Sequence, residues 1–520
     1  MLCDKMIIDK IQLNKNQLQI AVTVRCAYEN ELMSPKLSVL FENGGKTRMI
    51  PMTVCDFAVD GERCTVGFES TFLLDKLFYA HNISGDLRLS FAFRYGSTAD
   101  DEIVLLEHTD PTDRITADEN SIIIKNVSVK YSYKTPVRNV HDFIKQAVSA
   151  FIGLLYRLFS LKKIQRNKIS FISCRRDNMS GNMKYVYDLL KEESDITFDF
   201  LMFSNPKENY RLSNIIKFLH LYATSGVVIV DDYFRLMNSI KKRNGVVLIQ
   251  LWHACGAFKT FGYSRIGKVG GPSQTDCSHR MYDKAIVSSK NIAEYYCEGF
   301  GLSRECVVAT GVPRTDIFFK ADYSAAVKAE FYKKYPQLKN KKIILFAPTF
   351  RGTGQMNAYY DMSRFDPTAL YNSLNGEYAI LLKLHPFCRE AFVIDDAYKD
   401  YIIDLSDRDE LNDLLFVTHL LVTDYSSVVF EASLLEIPMV FYAYDLTDYI
   451  GKRDFYYDYL SFVPGKVVYS QSELAQCIRS EDFETERIER FKNEFFDSTD
   501  GLSSQRVVDL ILGCIRGESV

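Results

Sequence analysis

Apolar and polar positions repeat with different periods along the chain, and the changes of period divide it. From residue 1 to about 133, short apolar or alternating runs recur at Leu18–Val24, Leu37–Phe41, Leu87–Phe93 and Ile122–Ile124. Turn signals such as Glu42-Asn43-Gly44-Gly45 and Asp60-Gly61 separate them. Strands at this spacing predict a small all-β, sandwich-like domain over 1–133. His81 and His108 stand alone in it and predict surface positions, so the domain reads as an accessory or partner-docking module.

The period then becomes helical. Ile144, Val148, Phe151, Ile152, Leu155 and Phe159 share one face, widened by Leu154, Tyr156 and Leu158, and Lys162, Lys163, Arg166 and Lys168 follow. This predicts an amphipathic basic linker helix over 134–168. Such a helix either lies in a membrane interface or packs as a linker on the next domain.

From Lys168 onward, strands alternate with helices, the pattern of a parallel α/β sheet. It does so in two series, 169–330 and 331–520, joined by a charged helical stretch at about 317–340. From Ser470 the chain predicts helices, the last of them returning to pack across the domains. Ligands of open α/β sheets bind beyond the carboxyl ends of the strands, so the residues there matter most. In the first series these are Trp252-His253 with Gly256 and Lys259, and the loop carrying Arg314. In the second they are Arg351, Lys383, His385 and the turn Thr423-Asp424-Tyr425-Ser426-Ser427. Two cations, an imidazole and a hydroxyl-bearing turn suit a pyrophosphate. The plainer reading of Asp424, Ser426 and Ser427 is that they cap the following helix.

Composition narrows the class. The 520 residues exceed one core and suggest three domains. A net charge of −4 gives no reason to expect nucleic acid as a partner. The 12 cysteines show no CxxC or ligand-like spacing, which predicts reduced thiols and no zinc site. The N-terminus carries no signal-peptide pattern and no stretch has the roughly 20 apolar residues of a membrane span, predicting a cytoplasmic protein.

The C-terminal 350 or so residues resemble the CDP-glycerol glycerophosphotransferase family, the teichoic acid polymerases and primases of Gram-positive bacteria. The matching segments are Trp252-His253 with Gly256 and Lys259, Gly311–Asp316, Ala347–Arg351, Lys383–Pro386, Thr423–Ser427 with Glu431, and Asp454–Tyr459 leading to Phe462–Gly465. The resemblance implies two facing Rossmann-like domains in the GT-B arrangement, with 169–330 on the acceptor side and 331–520 holding the CDP-polyol. It implies that His253 and His385 are catalytic, that Arg351, Lys383, Ser426 and Ser427 contact the pyrophosphate, and that Glu431 contacts the ribose. Gly256, Lys259, Arg314 and Asp424 complete the expected substrate site.

The implied reaction moves glycerol phosphate or ribitol phosphate from CDP-glycerol or CDP-ribitol to the terminal hydroxyl of a prenyl-pyrophosphate-linked polymer, releasing CMP. It needs neither cofactor nor metal and runs at the inner leaflet of the cell membrane; a homo-oligomer is left open. His253 is the expected base, although the roles of the two histidines could be exchanged. The run Ala254-Cys255-Gly256-Ala257-Phe258 departs from the Gly-Thr-Pro-like run of many glycerol enzymes and leaves the polyol undecided. Two other readings remain: a GT-B glycosyltransferase using a nucleotide sugar, and a non-catalytic membrane-associated assembly factor.

Overall fold

The computed structural model describes residues 3–14, 17–27, 36–43, 46–60, 63–73, 82–94, 121–134, 140–265, 271–272, 276–352, 357–408, 410–446, 449 and 455–518. His81 and His108 lie outside them, as does Asp454.

The N-terminal part is all-β. Strands β1 (Cys3–Asn14), β2 (Gln17–Ala27), β5 (Thr53–Asp60) and β6 (Arg63–Leu73) form one antiparallel sheet in the order β1-β2-β6-β5. A second has the order β4-β3-β7-β8, from β3 (Lys36–Asn43), β4 (Lys46–Pro51), β7 (Asn82–Arg94) and β8 (Ser121–Lys134). Alternation explains the packing: Leu18, Ile20, Val22 and Val24 of β2 are all at most 1% exposed. Across the gap, Phe41 of β3 meets Phe72 of β6 edge to face at 4.9 Å, so the two sheets share a core.

The helix Val140–Phe159 follows. Ile152 and Tyr156 are buried, and Tyr156 stacks obliquely on Tyr222 of the helix Leu212–Thr224. Val148, Phe151, Leu154 and Leu158 stay more than half exposed. The apolar residues therefore split into two edges, one docked on the first α/β unit and one facing solvent.

Two six-stranded parallel sheets carry the rest. The first runs β10-β9-β11-β12-β13-β14, built from β9 (Gln165–Ser173), β10 (Thr197–Met202), β11 (Ser225–Val230), β12 (Val247–Gln250), β13 (Lys284–Ile286) and β14 (Val307–Val308). The second runs β17-β16-β15-β18-β19-β20, from β15 (Lys342–Phe346), β16 (Tyr378–Leu382), β17 (Ile402–Asp404), β18 (Leu420–Thr423), β19 (Met439–Tyr442) and β20 (Lys466–Val468). Central strands such as β11 and β16 are buried along their whole length, as covering both sheet faces with helices requires. Strand order reverses between β9 and β11 in the first sheet and between β15 and β18 in the second. A doubly wound sheet leaves its crevice at that point.

The last helix, Ser503–Arg516, belongs spatially with the first sheet although it lies within 331–520. Its Val507, Val508, Leu510 and Ile511 share a core with Ile169, Phe171, Val227 and Ile249. Asp316 receives the backbone N–H groups of Ser503 and Ser504 at 2.9 and 2.7 Å and so anchors the start of that helix.

Candidate active site

His253 follows β12 on a short loop. Its Nδ1 lies 3.2 Å from the Asp231 carbonyl oxygen, which can only accept. The hydrogen therefore sits on Nδ1, and Nε2 presents a lone pair. Asp232, beside Asp231 at the end of β11, brings a carboxylate oxygen to 3.8 Å from the same Nδ1. Burial, and after it the Arg175 charge, push the imidazolium down to about 3, so the ring is neutral near pH 7.

His385 follows β16 and is set the opposite way. Its Nδ1 accepts the Phe387 backbone N–H at 3.2 Å, which leaves the hydrogen on Nε2. Its ring lies between Phe350 at 4.8 Å and Phe387 at 4.5 Å. Burial first, then the charges of Arg175 and Lys259, lower its pKa to about 4. One histidine thus offers a lone pair and the other an N–H, and Arg175 stands close enough to depress both.

Arg175 was the residue that sequence reasoning passed over. It lies two residues beyond β9 at the order switch of the first sheet, and that position was the available signal. It reaches Asp232 at only 3.5 Å and is 36% exposed, so its charge is weakly neutralised. Lys259 donates to the Tyr449 hydroxyl at 3.3 Å and stays part-exposed.

At the second sheet's order switch, Ser426 and Ser427 are half-buried. Ser427 sits at the start of the helix Val428–Leu434 and makes no side-chain capping bond. Ser426 Oγ accepts the Val428 N–H at 3.4 Å, a long contact. Helix capping therefore accounts for little of this pair.

Four of the expected substrate contacts are engaged by protein groups in this structure. Arg351, expected on the pyrophosphate, is 8% exposed and clamped by carboxylates. Its Nη1 donates to Asp424 at 2.9 Å, and its Nε and Nη2 donate to the two oxygens of Asp445 at 2.6 and 2.8 Å. Tyr425, Tyr444 and Tyr449 face the same guanidinium at 5.1 to 5.3 Å. Asp424, 1% exposed, also receives the Thr349 N–H at 2.7 Å, so it organises the loop after β15 and touches no solvent-reachable space. Lys383 donates to the carbonyls of Leu405, Ser406 and Arg408 at 2.8, 3.1 and 2.6 Å, fixing the loop after β17. Gly256 was expected in the substrate site. Instead a Cβ there would fall 2.1 Å from the Phe430 ring, so the second unit itself fills the space, and its φ of +64° favours glycine.

Glu431 and Arg314 also find each other. Arg314 Nε donates to Glu431 Oε1 at 3.0 Å, and its side chain and that of Glu431 are 14% and 3% exposed. The second oxygen, Oε2, is buried without a protein partner. Around this pair, Phe258 stacks on Phe455 at 4.8 Å and on Phe462 at 4.5 Å. The divergent run 254–258 is thus largely a contact between the two units. Among the described residues, no group of three or more His, Cys, Asp or Glu could hold a metal ion.

The family model of CDP-glycerol:poly(glycerophosphate) glycerophosphotransferases matches residues 154–513, both parallel sheets and the loops just described. The chain belongs to this family. A teichoic acid poly(ribitol-phosphate) polymerase of Bacillus spizizenii is 46% identical over 72% of the chain and 61% of its own length. The match therefore leaves more than a third of that relative uncovered. A ribitol-phosphate polymerase of Staphylococcus aureus, TarK, is 42% identical over 71% of the chain and 73% of its own. A ribitol-phosphate primase of B. spizizenii is 39% identical over 71% of the chain and 97% of its own. The wall teichoic acid polymerase TagF shares the fold, with a TM-score of 0.60 and 22% identity over 73% of this chain and 99% of that one. The family's two-domain GT-B architecture is thus the architecture of residues 154–513.

Proposed function

We propose that the protein transfers ribitol phosphate from CDP-ribitol to the terminal hydroxyl of a lipid-linked teichoic acid-type polymer and releases CMP. The observation that carries the assignment of roles is the opposite tautomer of the two histidines. His253 Nε2 takes the proton of the acceptor hydroxyl as its oxygen attacks the phosphorus bonded to ribitol. The bond from that phosphorus to the bridging oxygen breaks, and CMP leaves. Asp232, near Nδ1, stabilises the imidazolium that forms. His385 Nε2–H donates to the phosphoryl or bridging oxygen as negative charge grows there. Arg175, Lys259 and the hydroxyls of Ser426 and Ser427 complete the phosphate environment, and Glu431 Oε2 suits a ribose hydroxyl donor.

Ribitol is favoured over glycerol by the relatives: ribitol enzymes match at 39 to 46% identity, and glycerol-phosphate primases and transferases at 26 to 35%. A prenyl-pyrophosphate-linked acceptor places the reaction at the cytoplasmic face of a membrane. The exposed apolar edge of Val140–Phe159 supports that placement, and among the described residues no helix is long and apolar enough to cross a bilayer.

The deciding experiment offers CDP-ribitol, CDP-glycerol and a set of nucleotide sugars to the purified protein with a prenyl-pyrophosphate-linked acceptor. CMP release with CDP-ribitol alone is expected. Release from CDP-glycerol alone reassigns the polyol, and UDP release from a nucleotide sugar replaces the reading with glycosyl transfer.

A further inference from the structure

The loop that carries His253 leaves the sheet with three consecutive carbonyls, Leu251, Trp252 and His253, beyond the reach of strand pairing. Each is satisfied by one of two side chains. Asn182, 2% exposed at the start of the helix Gly181–Leu190, donates its amide to Leu251 O at 3.1 Å and Trp252 O at 3.0 Å. Arg314 Nη1 donates to His253 O at 2.6 Å. The two are themselves joined, because the Arg314 backbone N–H donates to Asn182 Oδ1 at 3.1 Å. Trp252 meanwhile adopts a φ of +53°, left-handed backbone that a bulky residue holds only when its surroundings over-determine it. Its N–H donates to Gln250 Oε1 at 2.8 Å, which completes the clamp.

The far side of the Arg314 guanidinium crosses to the other unit. Its Nε and Nη2 both donate to Glu431 Oε1, one turn beyond Ser426-Ser427. A planar fork with donors on two edges is what this bridging needs, and a lysine could not reproduce it.

We propose that Asn182 and Arg314 are positioning residues for His253, and that Arg314–Glu431 makes the place of this histidine depend on the docking of the two units. The turn that faces the phosphates and the histidine that faces the acceptor are then connected through one buried guanidinium. Arg314 was expected to bind substrate; in this arrangement it acts through His253. The proposal rests on His253 being the base.

The test compares Arg314→Lys, Arg314→Gln and Glu431→Gln with the parent protein in steady-state kinetics and in nitrogen NMR of the His253 imidazole. Arg314→Lys is expected to lower kcat at least tenfold while KM for CDP-ribitol stays within about threefold, and Glu431→Gln, which also alters the carboxylate offered to the ribose, to lower kcat by less and to raise KM as well. The parent imidazole should show Nδ1–H alone, and Arg314→Lys a mixture of the two tautomers. Unchanged kcat in both Arg314→Lys and Glu431→Gln overturns the proposal, as does a loss confined to KM, which would return Arg314 to substrate contact. If Arg314→Gln fails to fold, the other two variants carry the test. If the parent protein turns over no CDP-polyol, the functional reading falls by itself. The NMR comparison then decides the positioning role, and an unchanged imidazole spectrum in Arg314→Lys would overturn it.

Discussion

A hydrogen bond to a backbone group does more at His253 and His385 than the identity of the residue alone. Histidine at a strand end is legible in sequence; which nitrogen carries the hydrogen is not, because Asp231 O comes from another strand end and the Phe387 N–H is aimed by a local turn whose conformation the sequence does not give. Replacing His253 with Ala should abolish CMP release while the folded state and CDP binding persist; retained turnover in a release assay would remove its role as base. His385→Ala should lower kcat by about 10²- to 10³-fold, the usual effect of deleting one donor to a developing charge, with His385→Asn recovering part of it. Arg351 shows the converse. Its place beyond β15 matched a phosphate ligand, yet Asp424 and Asp445, 73 and 94 positions away, neutralise it. Arg351→Ala leaves Asp424 buried, and Asp445 part-buried, without their cation, which costs about 3–5 kcal/mol. A lower midpoint in chemical unfolding is the expected result, with a stable variant weak only in KM as the contrary one.

At the scale of elements, an all-β N-terminal part and two parallel sheets were readable from periodicity, and His253, His385 and the Ser426-Ser427 turn lie in loops beyond sheet strands as expected. Less readable was the division of the helix Val140–Phe159 into two apolar edges, since periodicity reports a face but not what covers it. Its buried edge includes Tyr156, whose hydroxyl accepts the Arg243 N–H at 3.2 Å. The other edge carries Val148, Phe151, Leu154 and Leu158 and continues to Leu161, 83% exposed, with Lys162 and Lys163 adjacent. Four such side chains entering a lipid interface release more free energy than a surface helix gains by staying in water, at roughly 25 cal/mol per Å² of apolar area. Changing Phe151, Leu154 and Leu158 to Ser should reduce flotation with anionic liposomes, and neutralising Lys162, Lys163 and Arg166 should make the remainder insensitive to salt; Lys168, expected with them, is instead buried in β9 and paired with Asp199 at 2.7 Å. Equal flotation of parent and triple variant would exclude this edge as the contact.

For the whole molecule, a loss of stability in acid follows from buried neutral imidazoles. His253, His279 and His385 are depressed by burial to about 3, 4 and 4. The unfolded chain binds these protons near pH 6.5 and the folded chain does not. Between those limits unfolding takes up protons, so stability is full above about pH 6.5 and declines as pH falls toward 4, by at most about 1.4 kcal/mol per pH unit for each histidine. Urea midpoints measured from pH 7.5 to 4.5 should fall, and His279→Phe should flatten the fall; a midpoint independent of pH would contradict the burial. That the chain holds two parallel α/β sheets was legible from alternation alone, though their limits were not, since β9 begins at Gln165. That Ser503–Arg516 folds back onto the first sheet was not, because its amphipathic pattern is the same whichever unit it covers.

That return has a mechanical consequence. The backbone passes from the first unit to the second before Lys342 and back again before Ser503, so the pair is tethered at two points. A single tether lets two bodies swivel about any axis through it. Two tethers leave rotation only about the line that joins them, and even that must part the buried Arg314–Glu431 pair and the Phe258–Phe462 stack. The second crossing thus holds His253 and the Ser426-Ser427 turn in one register, as a single crossing would not.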